Sequence, residues 1–188
     1  AWSYAVPFSN FTNRWLIGCI FMPFFIPQIS FLLGMQISLS RVGLDGTWLA
    51  LLWVHMIFIL PYTWLIVIPA RRALDHRLDH LAATLGASGW KRFITLHMPL
   101  MAYPLGTALF IGISVSMALY IPTIFVGAGR INTITVEAVS LASSGSRGPA
   151  GLAAMLQIAI PVISFVVIHW GLRCRFGRFS GMQSGRLQ

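Results

Sequence analysis

Four apolar runs, at residues 16–39, 47–70, 100–128 and 151–172, constrain this chain more than any other feature. A helix crossing a bilayer needs roughly 20 consecutive apolar residues, and each run is long enough. The spaces between them are short. With 57% hydrophobic and 9% charged residues over 188 positions, and a mean hydropathy of +0.79, a soluble domain is excluded. The expected fold is an all-α polytopic membrane bundle, a single transmembrane domain over residues 1–188 with four full spans. Residues 1–8, AWSYAVPF, read as the last turns of another apolar helix, so a partial fifth span is expected at the N-terminal end.

The net charge of +9 does not indicate nucleic acid in a chain of this class, because the side on which each Lys and Arg falls decides what the charge does. With residues 10–15 on the cytoplasmic side, that side receives Arg14, Arg71, Arg72, Arg77, Lys91, Arg92, Arg173, Arg175, Arg178 and Arg186. The other side receives Arg41, Arg130 and Arg147. This asymmetry places the polar loop over residues 71–99 and the C-terminus in the cytoplasm. Cys19 and Cys174 are the two cysteines; they give no disulfide framework and read as packing residues.

Every expected span carries proline: Pro23 and Pro27, Pro61 and Pro69, Pro104 and Pro122, and Pro161. An interior proline frees a carbonyl and bends a helix, so the spans are expected either to be ordinarily kinked or to splay around a path. Gly106, Gly112, Ser114 and Ser116 permit close helix approach in the third span. Between the third and fourth spans, residues 133–142 form a short amphipathic piece that carries Glu137, the chain's only glutamate, and is expected to lie outside the membrane as an external helix.

The polar segment over residues 79–99, DHLAATLGASGWKRFITLHMP, is set between two apolar runs. Residues 78–88 suit a helix, Gly86 and Gly89 permit a break, and residues 90–96 suit a second short helix, with Pro99 at the entry to the next span. The order Ala82, Gly86, Leu96, Pro99, with LGAS at 85–88, resembles the EAA loop of binding-protein-dependent ABC importer permeases. That pattern is Glu-Ala-Ala, three residues, Gly, nine residues, then Ile-x-Leu-Pro, and the spacing from Gly86 to Leu96 to Pro99 matches it. The surrounding order of spans is similar over nearly the whole chain. His80 stands where the glutamate is usual and Leu81 where the first alanine is usual. Whether Asp79 substitutes, His80 donates a different hydrogen bond, or coupling is weaker stays open.

The resemblance implies a type I (MetI-like) permease subunit or half-permease in a bacterial inner membrane. Asp79, His80, Ala82, Ala83, Gly86, Ala87, Ser88, Trp90 and Pro99 would then form the contact with a cytoplasmic ABC ATPase. It further implies a periplasmic solute-binding protein, a second permease half or subunit, and ATP with Mg²⁺ on the ATPase, with no cofactor and no enzymatic activity on this chain. The stretches TITVEAVSLAS and MPFFIPQISFLLG look most like thiamine or ferric iron permeases, which often carry two fused halves.

Three other readings compete. In DHRLDH, Asp75 and Asp79, and His76 and His80, fall four apart on one helical face and could hold a metal, but HExxH is absent and Arg71, Arg72 and Arg77 oppose a divalent cation. A serine hydrolase lacks its G-x-S-x-G elbow. A gradient-driven secondary transporter would need intramembrane carboxylates, whereas Asp45, Asp75, Asp79 and Glu137 all fall in loops. His55 keeps that reading open. It is the one ionisable group clearly inside a span, either lining a path or hydrogen-bonded as a neutral imidazole to a neighbouring helix.

Overall fold

In a computed structural model, residues 11–74, 80, 82, 84, 86, 88–145 and 147–176 are described. Among them the structure is helical, without strands. The order is α1 (Phe11–Phe25), α2 (Gln28–Arg41), α3 (Trp48–Arg72), α4 (Gly89–Arg92), a π turn (Phe93–His97), α5 (Met98–Ala118), α6 (Tyr120–Gly127), α7 (Ile134–Ser143) and α8 (Arg147–Phe176). Residues 1–8, expected to end a fifth span, lie outside the described residues.

Three continuous helices are long and apolar enough to cross a membrane: Trp48–Arg72, Gly89–Ala118 and Arg147–Arg175. The expected first span is not one rod. Its two parts, Ile17–Phe25 and Gln28–Arg41, meet at 112°, because Pro27 lacks an N–H and turns the preceding residue away from helical torsions. The backbone of Pro27 is extended (ψ 120°) where it caps α2. The expected third span is corrected as well. It stops at Ala118, and a separate α6 begins at Tyr120. Pro122 would clash with the carbonyl four residues earlier, which belongs to Ala118, so the proline falls in the first turn of a new helix. Pro23, Pro61, Pro69, Pro104 and Pro161 remain inside their helices.

The helices α3 and α5 run antiparallel, with Gly112 facing Ile59 and Ser116 facing His55. The opposite flank of α5 carries α8, also antiparallel: a Cβ at Gly106 would strike Leu172 and Ile168, Phe110 meets Phe165 edge-on at 5.1 Å, and Gln157 reaches the Met117 carbonyl. Glycine is what lets these backbones approach. A second packed group joins α2, α3 and α6 around Leu32, Ala50, Val54 and Val126, closed by Met35, Leu39, Leu44, Phe58 and Phe125. The turn before α3 is tied to it by the Gly46 N–H bonding the Val126 carbonyl at 3.0 Å.

Local caps fix the short elements. Thr47 accepts from the Ala50 N–H at the start of α3, and Thr133 accepts from the Val136 N–H at the start of α7; a cap of this kind contributes about 1 kcal/mol. The amphipathic piece expected at 133–142 is thus a capped helix. Two expectations shift at the side-chain level. Cys19 and Cys174, read as packing residues, are both exposed, since each falls on a helix face that no other described element covers. Ser116 does more than permit close approach, as its hydroxyl is engaged by His55. Asp45 and Glu137, the two described acidic residues, lie outside the three long apolar helices.

Candidate functional site

Two groups of residues were singled out from the sequence, and the fold keeps them apart. Pro99 precedes Ser116 by 17 residues along α5, about 25 Å at helical rise, so the loop residues and His55 belong to opposite ends of the bundle.

At the loop end, antiparallel register sets the levels. Stepping back along α5 from Gly112 and forward along α3 from Ile59 brings Arg71 and Arg72 level with Pro99. The same count from Gly106 and Ile168 brings Arg173 and Arg175 to that level on α8. Pro99 is therefore level with the basic ends of two neighbouring helices. The helix does not begin there but runs through it, from Gly89 to Ala118. Residues 89–98 project beyond the arginines by about 15 Å, as an arm continuous with a membrane-crossing helix.

The arm is built from local chemistry. Ser88 is its N-cap, its hydroxyl accepting from the Lys91 N–H at 3.4 Å. Trp90, 73% exposed, stacks on Phe93 with ring centroids 5.9 Å apart. Residues 93–97 then widen into the π turn, where the Met98 N–H bonds the Phe93 carbonyl five residues back. Pro99 follows, buried. Lacking an N–H, it removes the donor that a regular helix would offer to Thr95, and a wider turn beside it removes the steric conflict. Thr95 donates its hydroxyl to the Lys91 carbonyl at 2.6 Å. Turns of this kind recur at functional positions.

Of the residues expected to contact an ATPase, His80 and Ala82 are helical, His80 exposed and Ala82 half-buried. Gly86 is an exposed turn residue at φ +76° with open space around its Cβ position. The break predicted at Gly86 is present, and its torsion is one that L-residues resist. Asp79, Ala83 and Ala87 lie outside the described residues. So do Asp75, His76 and Arg77 of the DHRLDH reading; among the described residues no His, Cys, Asp and Glu cluster could hold a metal.

At the other end, His55 is engaged on both ring nitrogens: Nδ1 lies 2.9 Å from Ser116 Oγ and Nε2 lies 3.1 Å from Thr123 Oγ1. Thr123 directs its only hydroxyl hydrogen to the Leu119 carbonyl at 2.6 Å. Nε2 must then be the protonated nitrogen that donates to Thr123, leaving Nδ1 to accept from Ser116 in the neutral ring. Next to it the Met117 carbonyl, which has no helical donor because α5 ends, accepts from Thr135 Oγ1 at 2.6 Å and from Gln157 Nε2 at 3.1 Å. Sequence reasoning missed Thr123, Thr135 and Gln157. Gln157 carried a signal, as the one amide in the stretch 152–168, where Ser164 is the only other polar side chain; the two threonines carried none.

The fold defines a multi-pass helical membrane protein. Its sequence relatives narrow the class. Over 148 residues the chain is 36% identical to the inner membrane ABC transporter permease protein YnjC of Escherichia coli, covering 79% of this chain and 29% of that protein. It is 25% identical over 154 residues to a putative 2-aminoethylphosphonate transport system permease protein, PhnV, of Salmonella typhimurium, covering 81% of this chain and 58% of the relative. With the molybdenum transport system permease protein ModB of Haemophilus influenzae the identity is 26% over 183 residues, covering 86% and 79%. No protein-family model matches the chain, and no solved structure does. The chain is homologous to ABC transporter permease proteins, and it spans less than two thirds of the length of the YnjC and PhnV relatives.

Proposed function

We propose that this chain forms part of the permease of an ATP-driven importer in a bacterial inner membrane, of the MetI-like kind, which moves a small solute delivered by a periplasmic binding protein. The observation that carries this reading is the 36% identity over 148 residues to an ABC transporter permease. The arm adds physical support. A soluble ATPase that moves a membrane helix needs a rigid handle outside the bilayer, and residues 89–98 form one, continuous with α5 and preceded by the Gly86 turn. ATP and Mg²⁺ would be bound by that partner, whose closure would pull on Asp79–Trp90 and rock the bundle between inward-facing and outward-facing states. The basic ends of α3 and α8 would face the cytoplasm, and a second permease half would complete the path.

The relatives bear on the solute only by their own names, 2-aminoethylphosphonate and molybdenum. A thiamine-like or ferric iron solute rests on the two sequence stretches quoted for it. The decisive experiment is purification of the full-length parent protein from its own membranes in mild detergent, with Gly86→Arg in parallel. An ATP-hydrolysing subunit in stoichiometric amount with the natural protein, lost or loosened with Gly86→Arg, is the expected result. No ATPase in either preparation after crosslinking would overturn the reading.

A further inference from the structure

The two helices packed on α5 leave one side of it open. At about 100° per residue, Gly112, which meets α3, and Gly106, which meets α8, point about 120° apart, and Leu105 and Leu109 fall between them. Both leucines are exposed, Leu109 by 58%, so the flanking helices do not close over them. The same side of α3 is the one left bare, because α2 and α6 cover its other flank at Ala50 and Val54. That side carries Leu60, Val67 and Arg71, seven and then four residues apart, which is one helical stripe. On α8 the contact of Phe165 with Phe110 closes the far side of the interface, leaving Ile168, Gly171 and Arg175 as a stripe on the near side. A Cβ at Gly171 would meet nothing within 4 Å. An apolar groove therefore runs along α5, floored by Leu105 and Leu109, with an arginine on each wall.

Arg71 and Arg175 are both exposed and stand level with Pro99, at one end of this groove. Trp170, 70% exposed on α8 five residues before Arg175, marks that level as the zone between acyl chains and water, where tryptophan concentrates. Among the described residues neither guanidinium has an acidic neighbour, since Asp45 and Glu137 lie towards the opposite end of the bundle. A groove that is apolar along its length and cationic at its mouth complements an amphiphile with a negative head. A soluble anion would gain nothing from Leu105 and Leu109, and an apolar helix would gain nothing from the arginines. Arginine holds phosphate through paired N–H donors, so two on separate helices can share one phosphate group. We propose that this groove binds one anionic phospholipid, its phosphate between Arg71 and Arg175 and an acyl chain along Leu105 and Leu109, so that the lipid bridges the basic ends of α3 and α8 beside the arm.

The proposal goes beyond the permease reading and needs only that the bundle crosses a bilayer. Native mass spectrometry of the full-length parent protein in detergent, titrated with phosphatidylglycerol or with phosphatidylcholine of the same acyl chains, measures it. One molecule of phosphatidylglycerol is expected to be retained at least tenfold more tightly than phosphatidylcholine. Each arginine near an anionic lipid contributes about fivefold in affinity, so Arg71→Gln with Arg175→Gln is expected to lower phosphatidylglycerol retention about twentyfold. Arg41→Gln with Arg147→Gln, two exposed arginines at the other end, should leave it unchanged. Equal retention of the two lipids would overturn the proposal, and so would equal losses from both arginine pairs, since the preference would then come from net charge alone. If the Arg71 and Arg175 variant does not fold, Leu109→Trp fills the groove with both charges in place; it is expected to weaken retention several-fold, and unchanged retention would overturn the site. A diazirine in the acyl chain of phosphatidylglycerol should label the peptide from Met98 to Leu109. Labelling only elsewhere, as a second permease half seated on this face would cause, would also overturn it. Lipid retention is read without ATPase or solute, so its failure leaves the permease reading standing.

Discussion

Gly106 and Gly112 face different neighbours on α5, and the difference is measurable. A Cβ at Gly106 would run into Leu172, with Ile168 Cγ2 at 2.9 Å, whereas at Gly112 it would meet Ile59 Cγ2 at 3.2 Å. Overpacking of a fitted site costs typically 1–3 kcal/mol. Gly106→Val is therefore expected to lower thermal stability in detergent by an amount of that order, with Gly112→Ala clearly milder; equal midpoints would show that α8 shifts freely on α5. Small residues as contact points were legible in the sequence, since glycine in an apolar span has few other uses. Which helix each one meets was not, because that depends on residues more than 50 positions away. His55 was legible as an unusual residue for the same reason, yet its partners Ser116 and Thr123 were not, being ordinary small polar residues until the break at Leu119 brings both to one ring.

At the scale of elements, prolines mark all seven candidate kinks but coincide with helix boundaries at only two. Pro27 caps α2 at a 112° bend and Pro122 lies in the first turn of α6, while Pro61 and Pro104 sit in continuous helices. A freed carbonyl with side-chain partners at hand tolerates a full break, as Met117 does with Thr135 and Gln157. Pro99 is intermediate: it keeps the helix continuous at the cost of a wide turn. Pro99→Ala restores a donor for Thr95 and should let residues 93–98 wind as a regular helix. Backbone amide exchange over Phe93–Met98 is expected to slow several-fold; unchanged exchange would mean that the proline is not what opens the turn. Because one residue per helical turn rotates side chains by about 100°, the Trp90–Phe93 face would also be redirected relative to α5.

For the whole molecule, charge predicts an orientation and packing sets shape. Arg71 and Arg72 end α3, and Arg173 and Arg175 end α8, at one level along α5. Arg71→Glu with Arg72→Glu removes two of these four charges, and the positive-inside bias predicts weaker retention of the loop on the cytoplasmic face. Protease accessibility of residues 71–99 from each side of the membrane reads this directly, and an unchanged pattern counts against the orientation. What the sequence determined by itself is the solvent, the helical class, the basic ends of the apolar runs and the glycine-marked loop, because each follows from composition or short-range spacing. The tertiary structure decided three other things: that the first apolar run is two helices at 112°, that α5 overhangs its neighbours as an arm, and that His55, Thr135 and Gln157 converge on the break at Leu119. Those depend on which backbone groups a break leaves unpaired and which distant side chains arrive to satisfy them, and a linear pattern carries no record of either.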